Sequence, residues 1–228
     1  MPPSTATPAS SDLQQAIKDT AWHQIAQFGA PALSLRAIAR QLGITAPAIY
    51  NYFHRRDDLV TALIKDAYLS FGDAQASAIL GLDPDNHRQL VIALGSAYRD
   101  WATSFPERYQ LIFGTPIAGY HAPLAEVLPA ASRSLSVLVA VLAAACRGGK
   151  LRRDETVPLS PNLQEMLKAG QSVHDVEEEI LYLAIIIWSR VHGLVSLEIG
   201  QQYPVFIRDP GEIFRHELEM LCRQVLVN

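Results

Sequence analysis

Residues Ser34 to Leu59, SLRAIARQLGITAPAIYNYFHRRDDL, constrain this chain more than any other stretch. Leu35, Ile38, Ala39 and Leu42 fall on one stripe of a short helix that Ser34 can cap. Gly43 ends that helix and permits a tight turn, Ile44 fills the gap between helices, and Thr45 can cap the next one. Pro47 sits in the first turn of this second helix, where its missing N–H costs nothing. The helix extends over about Ala46 to Tyr52, with Ile49 and Phe53 inward and Ala46, Pro47, Tyr50, Asn51 and Tyr52 largely outward. A further helix opens at once with Arg55, Arg56, Asp57 and Asp58.

Charge gives this head a direction. From Ala30 to Arg56 there are four arginines (Arg36, Arg40, Arg55 and Arg56) and no carboxylate, so the segment carries +4 on a chain whose net charge is −4, leaving −8 for the remainder. A basic face on an acidic protein is the footprint of a polyanionic partner. Tyr50 and Tyr52 have two readings: partial packing on neighbouring helices, or phenol hydroxyls that donate to DNA phosphates while small side chains let the helix sink into the major groove. Arg55 and Arg56 oppose the dipole of the helix they start, which is understandable if an outside phosphate is expected there; a solvated charge pair with the two aspartates is the plainer alternative.

At 228 residues with 49% hydrophobic positions, many of them Ala and Leu at helical spacing, the chain reads as all-α, with about nine helices in total. Cys146 and Cys222 lie in apolar helical patterns without metal-ligand spacing and read as buried thiols of a cytoplasmic protein. Residues 1–10 lack the apolar core of a signal peptide and read as a disordered arm; the apolar run Ile180 to Trp188 is too short to span a membrane. His87, His121 and His174 fall in expected loops and form no metal cluster, so neither metal nor cofactor is expected.

The first helix is expected over Asp12 to Phe28, stopped by Gly29 and Pro31. The helix after the head continues to about residue 78, a loop covers Asp83 to Asn86, and another helix covers Leu90 to Phe105 until Pro106 interrupts it. Tyr109, Phe113 and Tyr120 follow in a short, broken segment, then an apolar helix from about Pro123 to Cys146 ending at Gly148-Gly149. Lys150 to His174, which includes Arg153, reads as a long connection with one or two helical turns. Asp175 caps a helix running to about Ile199, and a last helix covers Glu212 to Val225. Tyr98, Trp101, Phe105, Tyr109, Phe113, Tyr120, Trp188 and His192 are either core residues or the lining of a pocket for a small apolar effector. For His192 a satisfied interior position competes with a ligand role.

Ile38-Ala39, Gly43-Ile44-Thr45 and Tyr50-Asn51-Tyr52-Phe53 match, in order and spacing, the pattern by which residues 12 to 72 closely resemble the N-terminal domain of TetR-type transcriptional repressors. Arg56 stands where that pattern usually has Lys, keeping the charge. The resemblance implies Arg36 as a base contact, Ser34, Thr45, Tyr50, Tyr52 and Arg56 as phosphate contacts, and Ala46, Pro47 and Asn51 facing bases; Arg55 joins the phosphate set. Trp188, His192 and Gly193, in WSRVHGLVSLE, resemble the Trp-His-Gly signature of a subset of the C-terminal domains.

On this reading residues 11–56 form a helix-turn-helix DNA-binding domain and 57–228 an effector-binding and dimerisation domain. A homodimer through the last two long helices would place two heads on a pseudo-palindromic double-stranded DNA operator, released by a small-molecule effector. The sign of regulation, repressor or activator, stays open. A helical enzyme or carrier with a vestigial head is the alternative class; no phosphate-binding Gly loop, activated nucleophile or paired carboxylate supports it.

Overall fold

A computed structural model describes residues 10–152, 158–174 and 176–227. The expected N-terminal arm, apart from Ser10, together with Arg153 and the Asp175 cap, lies outside them. Among the described residues there are ten α-helices and no β-strand: α1 Ser10–Phe28, α2 Leu35–Gln41, α3 Ala46–Tyr50, α4 Arg56–Ala78, α5 His87–Ser104, α6 Pro106–Phe113, α7 Leu124–Arg147, α8 Pro161–His174, α9 Glu178–Ile199 and α10 Pro210–Val225. The all-α expectation stands, with ten helices in place of about nine.

The chain divides into two compact units, one of residues 1–67 and 106–128, the other of residues 68–105 and 129–228. The chain crosses between them three times: inside α4 between Ala67 and Tyr68, between Phe105 and Pro106 at the junction of α5 and α6, and inside α7 between Leu128 and Pro129. The N-terminal unit is therefore larger than a helix-turn-helix of residues 11–56, because it also takes the first half of α4, all of α6 and the loop to α7.

In the N-terminal unit Ile17, Ala21 and Ile25 of α1 close over Ile38 and Ala39 of α2, Ile49 of α3 and Leu59, Val60 and Leu63 of α4, all buried. Burying such aliphatic side chains stabilises the unit by about 1.5–3 kcal/mol each. Pro106 does not leave the following segment broken, as expected from sequence; it occupies the first position of α6, where a fixed φ favours a helix start. Tyr109 of α6 is buried, and Arg108 lies over the Trp22 ring of α1 at 5.2 Å. Lys18 of α1 pairs with Asp66 of α4 at 2.8 Å.

In the C-terminal unit α5, α9 and α10 pack on one another and α8 packs on α9. Gly95 of α5 makes the α5–α10 approach possible: a Cβ there would lie 2.5 Å from Leu218 Cδ2. Arg99 of α5 donates to both carboxylate oxygens of Glu198 on α9, at 2.7 and 2.6 Å, and covers the Phe214 ring of α10. The region expected as a loose connection contains α8, a fourteen-residue helix starting at Pro161 with the Ser160 hydroxyl accepting from Leu163 N–H. Leu151 and Leu226 form a short antiparallel bridge that ties the chain after α7 to the end of α10.

By length and composition alone α7 and α9 are long and apolar enough to cross a bilayer. Both nevertheless carry core side chains of this unit, with Val139, Leu142 and Ala145 of α7 and Ala184, Ile187, Val191 and Val195 of α9 buried.

Candidate nucleic-acid interface and ligand cleft

The head is held by caps and one glycine. Ser34 Oγ accepts from Ala37 N–H and Thr45 Oγ1 from Ala48 N–H, each at 3.4 Å, so both hydroxyls satisfy the first turn of a helix and keep their own hydrogen for an outside acceptor. Gly43 has φ +66, a left-handed conformation that glycine adopts without strain, and Ile44 N–H then returns to Ala39 O at 3.0 Å. Ile49 and Phe53 are buried beneath α3, as expected.

Arg36, Thr45, Ala46, Pro47, Tyr50, Asn51 and Arg55 are exposed, while Ser34, Tyr52 and Arg56 are half-buried. α3 ends at Tyr50, two residues earlier than expected, and Asn51 is its C-cap. Tyr52 therefore lies just beyond the helix, where its N–H still reaches Ile49 O.

Arg55 and Arg56 are engaged within the head. Asp58 accepts from Arg55 N–H at 3.0 Å and from its guanidinium at 3.1 Å, and Asp57 accepts from Arg56 Nε at 3.3 Å. The carboxylate of the third helical residue thus caps the start of α4 while neutralising the arginine before it. Pairs this exposed are weak, on the order of 0–1 kcal/mol, and can exchange for a phosphate.

The eight aromatic and histidine positions are divided between the two units. Tyr109, Phe113 and Tyr120 belong to the N-terminal unit, where Tyr109 and Phe113 rings lie 5.1 Å apart and Tyr120 Oη is 2.9 Å from Thr61 Oγ1. Tyr98, Trp101, Phe105, Trp188 and His192 belong to the C-terminal unit. Phe71, which carried no expectation, lies between Tyr98 and Trp101, with centroids 4.7 and 4.9 Å away. Trp101 Nε1–H donates to Ser70 Oγ at 3.0 Å, and the Trp188 ring stacks on His192.

Within this unit a cleft is lined by Tyr98 and Trp188, the two of the eight that reach it, with Val91, Leu94, Gly95, Leu135, Leu138, Ile187, Val191, Leu218, Gln75 and Ser134. Its free volume is about 20 Å³, room for one water molecule. Gln75 and Ser134 were missed from sequence, although Gln75 continues the Leu63–Ala67–Phe71 stripe of α4. A polar residue on a buried stripe was the available signal. Gln75 donates to Leu94 O at 3.3 Å and accepts from the Ser134 hydroxyl, so the two are a satisfied polar pair in an apolar wall.

His192 is half-buried, and both ring nitrogens have neighbours: Nδ1 is 2.8 Å from Tyr98 Oη and Nε2 is 3.3 Å from Ser196 Oγ. Burial lowers its pKa from the ordinary value, favouring the neutral ring. Among the described residues no group of His, Cys, Asp and Glu could hold a metal. Burial raises the Cys222 thiol to about 11, which leaves it un-ionised and inert.

Both parts of the chain match known proteins. Residues 17–63 match the profile of bacterial regulatory proteins, tetR family, and residues 91–221 that of the tetracyclin repressor-like C-terminal domain. The chain belongs to the TetR family of transcriptional regulators. It is 32% identical over 215 residues to the HTH-type transcriptional regulator Rv1816 of Mycobacterium tuberculosis, covering 93% of this chain and 92% of that one. The crystal structure of SCO4313, described as a regulatory protein, is 36% identical, with a TM-score of 0.77 over 94% of this chain and 98% of the other. The SmeT–triclosan complex, 15% identical with a TM-score of 0.64 over 95% of this chain and 93% of the other, shares the fold.

Proposed function

We propose that this regulator is a homodimeric, effector-responsive repressor located in the cytoplasm, with no catalytic activity. The observation that carries the DNA-binding part is the head itself: Gly43 and the Thr45 cap orient α3 so that Ile49 is buried while Ala46, Pro47, Tyr50 and Asn51 are exposed beside Arg36. Arg36 reads a base; Ser34, Thr45, Tyr50, Tyr52, Arg55 and Arg56 hold phosphates; Ala46, Pro47 and Asn51 face bases in the major groove.

α9 supports the dimer. Tyr182, Ile185, Ile186, Ser189 and Leu197 are exposed, and nothing lies within 4 Å of a Cβ built on Gly193, so a partner helix can approach there. Isologous pairing of α9 and α10 supplies the twofold axis that a pseudo-palindromic operator requires.

The effector reading rests on the cleft lined by Tyr98, Trp188, Gln75 and Ser134. SmeT, which shares this fold, is known as a triclosan complex. With about 20 Å³ free, the cleft is too small for an effector of drug size, which needs a conformation in which it is wider. Preference for that wider state is what gives an effector leverage over DNA affinity, and DNA opposes the effector by the same factor.

Selection of bound duplexes from a random pool by the purified protein tests the reading. A pseudo-palindrome with half-sites about one helical turn apart, or a multiple of it, is the expected result. Enrichment of no symmetric sequence would overturn it.

A further inference from the structure

A second cavity of the C-terminal unit, about 680 Å³ and distinct from the aromatic cleft, is bounded by the start of α5, the segment after α7 and the end of α10. Among the described residues four cations line it, Arg88, Lys150, Arg152 and Arg223, against one carboxylate, Asp85, on a protein whose net charge is −4. Arg88 is paired with Glu219; Lys150, Arg152 and Arg223 form no ion pair with any described residue. Three concentrated cations without an ion pair among the described residues repel one another, and the arrangement is accounted for if an anion completes it.

The wall is rigid. Lys150 O accepts from Val227 N–H at 2.9 Å, Arg152 N–H donates to Val225 O at 2.8 Å, and the Cys222 thiol reaches Arg88 O at 3.8 Å, so the three segments are tied together. The start of α5 contributes as well: Asn86 Oδ1 accepts from Gln89 N–H, which leaves the N–H groups of His87 and Arg88 without an intrahelical partner at the positive end of the helix. His87 also stands in this wall. It is 93% buried, and its Nδ1 has no hydrogen-bond partner, an omission that costs about 1–3 kcal/mol when nothing satisfies the atom.

We infer that this cavity binds a small, multiply charged oxyanion, of the phosphate or polycarboxylate class, held by Lys150, Arg152 and Arg223 at the start of α5. It is a site separate from the proposed effector cleft and does not depend on that reading. Guanidinium groups and an ammonium converging from two segments suit two or more anionic oxygens better than one.

Calorimetric titration of the full chain with inorganic phosphate, pyrophosphate and citrate, at constant ionic strength in chloride, tests it. One saturable site per chain is expected for at least one of the three, and the tighter class identifies the source of the oxyanion. In Lys150→Gln/Arg152→Gln, and separately in Arg223→Gln, the Kd rises at least tenfold while the thermal midpoint without anion stays within a few degrees. A shift of the His87 ring resonances on addition of the same anion places the site. No saturable binding, equal affinity in the variants, or binding that leaves His87 unmoved overturns the assignment.

Discussion

Tyr98 Oη lies 2.8 Å from His192 Nδ1, joining α5 to α9 beside the internal cleft. Tyr98→Phe removes one buried hydrogen bond and is expected to cost about 1 kcal/mol in chemical denaturation without altering the helical signal. The same histidine sets a pH dependence. Its folded pKa lies below the ordinary value, so its contribution is complete above about 6.5, the unfolded value, and is lost as pH falls toward the folded pKa. Stability should therefore decline on acidification below about pH 6.5, and the decline should be shallower in His192→Gln. Equal slopes in the two proteins would show that His192 is not the responsible group.

Gly95 and Leu218 set the distance between α5 and α10. A Cβ at residue 95 would meet Leu218 Cδ2 at 2.5 Å, so Gly95→Ala forces a buried leucine to move and is expected to cost about 1–3 kcal/mol. Leu218→Val in the same chain relieves the contact. The double variant should be more stable than the sum of the two single effects predicts, as read from a double-mutant cycle in urea.

Arg36 is the exposed side chain assigned to direct base reading. Arg36→Ala should lose about 1–3 kcal/mol at one operator position while binding to random duplex changes little. Unchanged preference for the operator over random DNA would remove Arg36 from that role.

Ile185 stands on the exposed apolar face of α9. Ile185→Glu places a charge where the proposed partner helix packs, and sedimentation should show the monomer at concentrations where the parent chain is dimeric. Because Ile185 is exposed within the single chain, monomer stability should change by no more than about 0.5 kcal/mol.

The parts legible in the sequence were those fixed by short-range chemistry. Ser34, Gly43, Thr45 and Pro47 place α2 and α3 because caps, a left-handed glycine and a first-turn proline act within four residues of themselves. Pro106 misled for a related reason. A proline marks either a stop or a start, and only packing of the following segment, seen in buried Tyr109, decides which. The aromatic set was the least legible. Tyr109, Phe113 and Tyr120 are close in sequence to Phe105, yet the chain crosses from one compact unit to the other between Phe105 and Pro106. Gln75 and Ser134 became visible only when α4 and α7 were side by side, since their hydrogen bond joins residues 59 positions apart.

The two carboxylates at the start of α4 bear on how the protein would search a genome. Asp57 and Asp58 already neutralise Arg56 and Arg55, so each phosphate gained by these arginines is offset by a carboxylate released. Counterion release on random duplex should then be smaller, giving a shallower salt slope than four arginines per head suggest. If Arg55 and Arg56 hold phosphates as proposed, such a head would dwell briefly on wrong sequences. It would hold firmly only where an operator positions phosphates well enough to draw Arg55 and Arg56 away from their own aspartates, and the internal ion pairs would then filter out the non-specific majority of sites.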